Sequence, residues 1–175
     1  FFLDGGSAVG IGRGDVLIRM ADAPPAWVVL VLPAFGVSTR EAYGWWDTDN
    51  PGIGAGCEAV PPLVARADAA RLNLAKAAPT GGRVPVAPRN DLQMSVARRH
   101  PEIARIVSAL SRLGSTHAAM SGSGSAVFGF FDTRVRADAA AETVAGRRRR
   151  TLVTRTIDRT TFHKLSRPSR TPRTP

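Results

Sequence analysis

Residues 101–131 read PEIARIVSALSRLGSTHAAMSGSGSAVFGFF, and the order of patterns within them decides the fold. Ile103, Ile106, Val107, Leu110 and Leu113 recur at the spacing of one helical face. Pro101 suits the first turn of that helix and Gly114 its C-terminal stop, so the spacing predicts a helix over 101–113. Thr116 to Met120, the turn Ser121-Gly122-Ser123-Gly124-Ser125 and the apolar run Ala126 to Phe131 then read as strand, glycine turn, strand.

Outward from this segment the same alternation continues. Trp27-Val28-Val29-Leu30-Val31-Leu32 is a six-residue apolar run rich in β-branched side chains and bounded by Pro33, which predicts a central strand buried on both faces. Ser38 and Thr39 are natural N-cap residues with Glu41 in the first turn, giving a short helix from Thr39 to about Trp46. A loop covers Asp47 to Cys57, and alanine-rich Leu63 to Ala78 reads as a helix closed by Pro79-Thr80-Gly81-Gly82. After a second loop, Asn90-Asp91 caps a helix to about Arg99. Beyond the glycine turn a helix is expected over Val135 to Val144 and a last strand over Thr151 to Ile157. This order predicts an α+β fold with two layers, an antiparallel sheet with helices on one face. Residues 1 to 20 read as short strands around glycine turns, and Phe1-Phe2-Leu3 looks like the middle of a buried strand, so the chain is expected to begin inside a fold.

The chain has 175 residues with a net charge of +10, but ten of its 24 basic residues lie between Arg147 and Arg173, opposed only by Asp158. The excess charge therefore describes the C-terminal stretch, and the remainder is nearly neutral. Residues 159–175 are rich in Arg, Pro, Ser and Thr and are expected to be a disordered basic tail. A single cysteine, Cys57, excludes an internal disulfide, and His100, His117 and His163 are too dispersed for a zinc module. The longest apolar run is far short of the roughly 20 residues of a membrane span, so a soluble, cytoplasmic protein without a membrane partner is expected, and a charge excess confined to the C-terminal stretch disfavours nucleic acid as a partner of the fold.

Residues 120–129 are the most informative for chemistry. A glycine-rich turn between two strands frees backbone N–H groups to point at an anion, which suits phosphate. No Lys follows as in a P-loop, the glycines do not fit a dinucleotide fingerprint, and no serine has the flanking glycines of a nucleophile elbow. A plain hairpin turn is the structural alternative. Asp4 and Asp15 sit in glycine-rich turns, where Asp more often bonds its own backbone than acts as acid or base. Tyr43, the only tyrosine, lies near the end of the central strand, where a flat ring can stack on a base; packing over the core beside Trp45 and Trp46 fits its spacing equally well. Neither Cys57 nor His100 has a visible catalytic neighbour.

Four segments, FFLDGGSAVGIGRGD, VLPAFGVSTREAY, NDL at Asn90 to Leu92, and MSGSGSAVFG, together resemble in order and spacing the C-terminal part of the 4-diphosphocytidyl-2-C-methyl-D-erythritol kinases. These belong to the GHMP superfamily of small-molecule kinases, with galactokinase, homoserine kinase and mevalonate kinase. The resemblance covers about residues 1 to 157. It implies a ferredoxin-like C-terminal domain over 25–158, with 1–24 the remnant of an N-terminal kinase domain. It further implies phosphorylation by ATP, with Mg2+, of a hydroxyl on a cytidine-diphosphate-linked methylerythritol. By position, Thr39 and Tyr43 match substrate-lining residues, the Tyr43 ring packing on cytosine. Gly122, Ser123, Gly124 and Ser125 match a glycine-rich motif beside the phosphate-transfer site. The family's catalytic Asp and Lys and its nucleotide loop have no counterpart in the 175 residues, and are expected upstream of Phe1, leaving the chain inactive alone. A homoserine or mevalonate class of substrate, or a non-catalytic module whose basic tail binds nucleic acid, are the competing expectations.

Overall fold

The computed structural model describes residues 4–11, 16–52 and 90–166. The expectations for residues 1–3, Asp15, Cys57, the alanine-rich helix at 63–78 and residues 167–175 lie outside the described residues. By internal contacts the described residues form two units, one of residues 26–52 and 90–156 and a smaller one of residues up to Pro25 with those from Ile157 onward.

The larger unit contains β3 (Trp27–Pro33), α1 (Thr39–Asp49), α2 (Leu92–Arg99), α3 (Pro101–Arg112), β4 (His117–Met120), β5 (Val127–Phe131), α4 (Arg134–Val144) and β6 (Arg149–Arg155). Its four strands pair antiparallel in the order β4-β5-β3-β6. Counted within this unit, the order is second, third, first, fourth, the split β-α-β arrangement that brings the first and third strands together in the middle. Helices α3 and α4 cover one face, α3 over β4 and β5 and α4 over β3 and β6.

The apolar stripe of α3 performs as its spacing predicts. Ile103, Ile106 and Leu110 are fully buried, in one core cluster with Val29, Val31, Val127 and Phe131 of the sheet. Burying each such side chain contributes about 1.5 to 3 kcal/mol. Gly129 lets the layers close: a Cβ there would lie 3.3 Å from Leu110 Cβ and Cδ1.

The central strand departs from its expected burial. Although β3 does lie between β5 and β6, only Val29 and Val31 on its helix-facing side are completely covered, while Leu30 and Leu32 are half-buried. An antiparallel sheet needs a cover on one face alone, and among the described residues the helices supply just that. On the other face Phe128 and Phe130 are half-buried and Leu152 is exposed. Strand β6 also begins two residues earlier than expected, because Arg149 and Arg150 pair opposite Pro33 and Leu32.

The smaller unit has a hairpin, β1 (Ala8–Ile11) with β2 (Val16–Arg19), and α5 (Arg159–Ser166). Helix α5 corrects the expectation of a wholly disordered tail over 159–175. Asp158 Oδ1 accepts the Thr161 N–H at 2.6 Å and so caps the helix start. Asp22 accepts the Arg159 N–H and the Ser7 N–H, both at 2.9 Å, which pins the helix to the hairpin segment. Phe162 packs on Gly5, where a Cβ would strike its ring. Composition hid a capping residue and one well-placed aromatic.

Candidate functional site

Helix α1 is oriented by its cap and one small residue. Ser38 is extended at φ −73°, ψ 143°, its Oγ accepts the Glu41 N–H at 3.1 Å, and Glu41 Oε2 accepts the Ser38 N–H at 3.3 Å. This reciprocal capping box satisfies two otherwise orphaned donors. Ala42 is fully buried and sets the rotation of the helix. Thr39, Tyr43, Trp46 and Asp47, spaced by three and four residues, then share the face that lines a cavity of about 700 Å³.

The opposite wall is the turn between β4 and β5. Ser121 N–H donates to Ala126 O at 2.8 Å and Gly124 N–H to Ser121 O at 3.0 Å, while Gly122 and Gly124 hold φ of +55° and +95°. Those values favour glycine. The N–H groups of Gly122 and Ser123 make no hydrogen bond among the described residues. Beyond the turn, Asn90 Nδ2 donates to Met120 O and Gly122 O, both at 2.8 Å, and its Oδ1 accepts the Leu92 N–H at 3.1 Å. Gln93 Oε1 accepts the Met120 N–H at 2.7 Å. Asp91, expected to share in capping α2, makes no side-chain cap bond: its backbone is already helical at φ −66°, ψ −27°, and Asn90 before it takes the capping role through Oδ1 and its backbone carbonyl.

The structure thus brings Thr39, Tyr43, Gly122 and Ser123 to one cavity, with the Thr39 and Ser123 hydroxyls 3.1 Å apart. Gly124 and Ser125 are in the same turn but do not line it. Gly124 backs onto the core, where a Cβ would lie 2.9 Å from Met120 Sδ and 3.6 Å from Val96 Cγ1, and Ser125 Oγ donates to Phe35 O. Tyr43 is 56% exposed, so of the two readings of the aromatic group, core cover holds for Trp45, which packs on the core. Asn90, Asp47, Asp91, Trp46 and Phe128 also line the cavity, and their sequence context had marked Trp46 as a helix-end aromatic over the core and the others as cap, loop or strand residues.

Helices α1 and α2 are clamped together behind this wall. Arg99 grips Asp49 with Nη1 to Oδ2 at 2.6 Å and Nη2 to Oδ1 at 3.0 Å, and Arg98 adds a longer contact of 3.4 Å. The Arg99 hydrogen bonds, with further help from Ser95 and Arg98, hold the Asp49 carboxyl down to about 2. His100, at the joint of α2 and α3, stacks on Phe35 with ring centroids 4.6 Å apart, a packing role. Asp4 is bound by Arg19 at 2.8 Å, which lowers its pKa and makes it a poor proton acceptor at neutral pH. Among the described residues no three His, Cys, Asp or Glu side chains cluster as metal ligands, and no helix is long and apolar enough to cross a membrane.

N–H groups without a partner in a glycine turn, beside a helix N-terminus lining the same cavity, are donors of the kind that can hold an anion, and residues 68–148 match the family model described as GHMP kinases C terminal. That segment is similar to the C-terminal domain of GHMP kinases. Among similar proteins, the 4-diphosphocytidyl-2-C-methyl-D-erythritol kinase of Heliobacterium modesticaldum is 35% identical over 91% of this chain and 53% of its own length. That of Pelotomaculum thermopropionicum is 38% identical over 90% and 51%. A crystal structure of 4-(cytidine 5'-diphospho)-2C-methyl-D-erythritol kinase is similar to this chain with a TM-score of 0.55 at 29% identity, over 87% of this chain and 51% of that one. A homoserine kinase from Cytophaga hutchinsonii, 14% identical, shares the fold with a TM-score of 0.51 over 89% of this chain and 49% of its own. The chain spans about half the length of the curated relatives it matches.

Proposed function

We propose that this chain forms the C-terminal part of an ATP-dependent cytoplasmic kinase that phosphorylates a hydroxyl of 4-diphosphocytidyl-2-C-methyl-D-erythritol, a step of the non-mevalonate route to isoprenoid precursors. In this reading residues 25–158 are the GHMP C-terminal domain and 1–24 the edge of an N-terminal kinase domain. The observation that carries it is that exposed Tyr43 lines the same cavity as Ser121, Gly122 and Ser123 of the glycine turn. A substrate with a base at one end and a diphosphate at the other needs just such a pair, a flat surface for stacking and a nest of N–H donors. Homoserine and mevalonate offer no base to a ring at this position, and Tyr43 favours the cytidyl substrate over them.

Phosphoryl transfer asks the protein mainly for positioning and preorganised electrostatics. The role assigned to this chain is to seat the base on Tyr43, to receive phosphate oxygens on the free N–H groups of the turn, and to hold the substrate with Thr39 and Ser123. Mg2+ would accompany the nucleotide and shield its phosphates; the described residues offer no three-ligand cluster for it, and no step here depends on one. Catalytic acid, base and nucleotide loop are assigned to the remainder of a full-length enzyme, so the 175 residues alone are expected to show no turnover with ATP and the cytidyl substrate. Tyr43, as the sole tyrosine, is its own reporter. With tyrosine ring carbons labelled, CDP should move the single ring resonance upfield in the chain as it stands. A ring that responds to ADP and ignores CDP would reject the cytidyl reading.

A further inference from the structure

We propose that Asn90 is a positioning residue that sets the direction in which the glycine turn presents its free N–H at Ser123. The inference rests on reading that turn as the anion-facing element. In a trans peptide the C=O and N–H point to opposite sides of one rigid plane. Asn90 Nδ2 donates to Met120 O and to Gly122 O at 2.8 Å each, so it fixes the planes of the 120–121 and 122–123 peptides. The Ser121 N–H, opposite the first pinned carbonyl, is thereby delivered to Ala126 O at 2.8 Å, closing the turn. The Ser123 N–H, opposite the second, is turned away from Asn90 with no partner among the described residues. One carboxamide thus uses both of its N–H donors to make one amide structural and leave the other available.

The anchor of this device is itself held. Asn90 Oδ1 accepts the Leu92 N–H at 3.1 Å, so the side chain is locked to the first turn of α2, and its oxygen and nitrogen cannot exchange places without breaking all three bonds. Helix α2 is in turn fixed by fully buried Val96 and by the Arg99 to Asp49 clamp. Two glycines with φ of +55° and +95° leave the turn soft, and nothing within the turn alone selects one orientation of the 122–123 peptide.

Asn90→Asp separates the two jobs of this side chain. It keeps the oxygen that caps α2 and sets a carboxylate against two carbonyls. Asn90→Leu is the uncharged comparison that removes every bond. Hydrogen exchange of the unliganded 175-residue chain, followed amide by amide, reads the result at Ser121 and Gly124, the two hydrogen-bonded amides of the turn. Both variants should exchange there about ten-fold faster or more, the equivalent of losing the two bonds. The Leu92 amide should stay protected in Asn90→Asp, and the amides of β4, β5 and α3 should be unchanged. Exchange at Ser121 and Gly124 within about two-fold of wild type in Asn90→Asp overturns the proposal, and that variant carries the test even if Asn90→Leu does not fold. Titration with inorganic diphosphate, monitored at the Ser123 amide, is a separate measurement. A wild-type Ser123 amide that ignores diphosphate would reject the phosphate reading of the turn, and the exchange result would still decide the role of Asn90.

Discussion

Thr39 and Ser123, 84 positions apart in the chain, meet through their hydroxyls at 3.1 Å. This bond joins the first residue of α1 to the middle of the glycine turn, so the two walls of the cavity are in direct contact at their polar ends. The pair is exposed, and its coupling in a Thr39→Val, Ser123→Ala double-mutant cycle should be small, about 0.5 to 1 kcal/mol in unfolding free energy. Additive single effects would mean that the two walls are held in place independently.

Tyr43→Ala in a full-length enzyme should raise the KM for the cytidyl substrate, with a loss of about 1 to 3 kcal/mol in base stacking. Tyr43→Phe should stay close to wild type, because the ring and not the hydroxyl supplies the surface. Steady-state kinetics with both substrates varied separates this from a change in ATP affinity.

The two glycines of the turn should fail for different reasons. Gly122→Ala meets open space and carries only the left-handed backbone penalty, about 1 to 2 kcal/mol. Gly124→Val carries that penalty and drives its Cβ into Met120 Sδ, so it should lower stability by more. Denaturant unfolding of the two variants gives the comparison, and Gly122→Ala is the cleaner probe of the backbone nest in any activity assay.

Helix α3 was legible because five aliphatic residues mark one face, and the turn at 121–125 because its glycines leave few alternatives. The rotation of α1 was not, since the residue that fixes it, Ala42, is too small to stand out beside Tyr43, Trp45 and Trp46. The work of Asn90 was hidden for another reason: its partners Met120 and Gly122 are 30 and 32 residues away, while its local context explains it fully as a helix cap. The open face of β3 was misread because a continuous apolar run looks the same whether one side of the sheet or both are covered.

Acid should loosen the α1 to α2 clamp. The Asp49 carboxyl is held at about 2, below its ordinary 3.8, so its stabilising contribution is complete above about pH 4 and is lost as pH falls toward 2. In that window Asp49→Asn should unfold with a shallower pH dependence than wild type, taking up as much as about one proton less on unfolding. Asp4, Asp22 and Asp158 are lowered too, through Arg19, Arg159 and Thr161 respectively, so some acid sensitivity should remain. Chemical denaturation at a series of pH values between 2 and 6 measures the slope.

Strand β6 pairs with β3 along one side, and among the described residues no strand pairs with its other side. Arg150 and Arg155 stand exposed on it, next to Arg147 and Arg148. An edge of this kind is a template for the edge of another copy, and a row of like charges is what keeps two such templates apart. At low ionic strength the arginines repel their counterparts on every approaching molecule; at molar salt the Debye length shrinks to about 3 Å and the repulsion is gone. Where a basic run is usually weighed for what it attracts, here it also acts as colloidal protection, and concentrated solutions of the chain should cloud first at high salt.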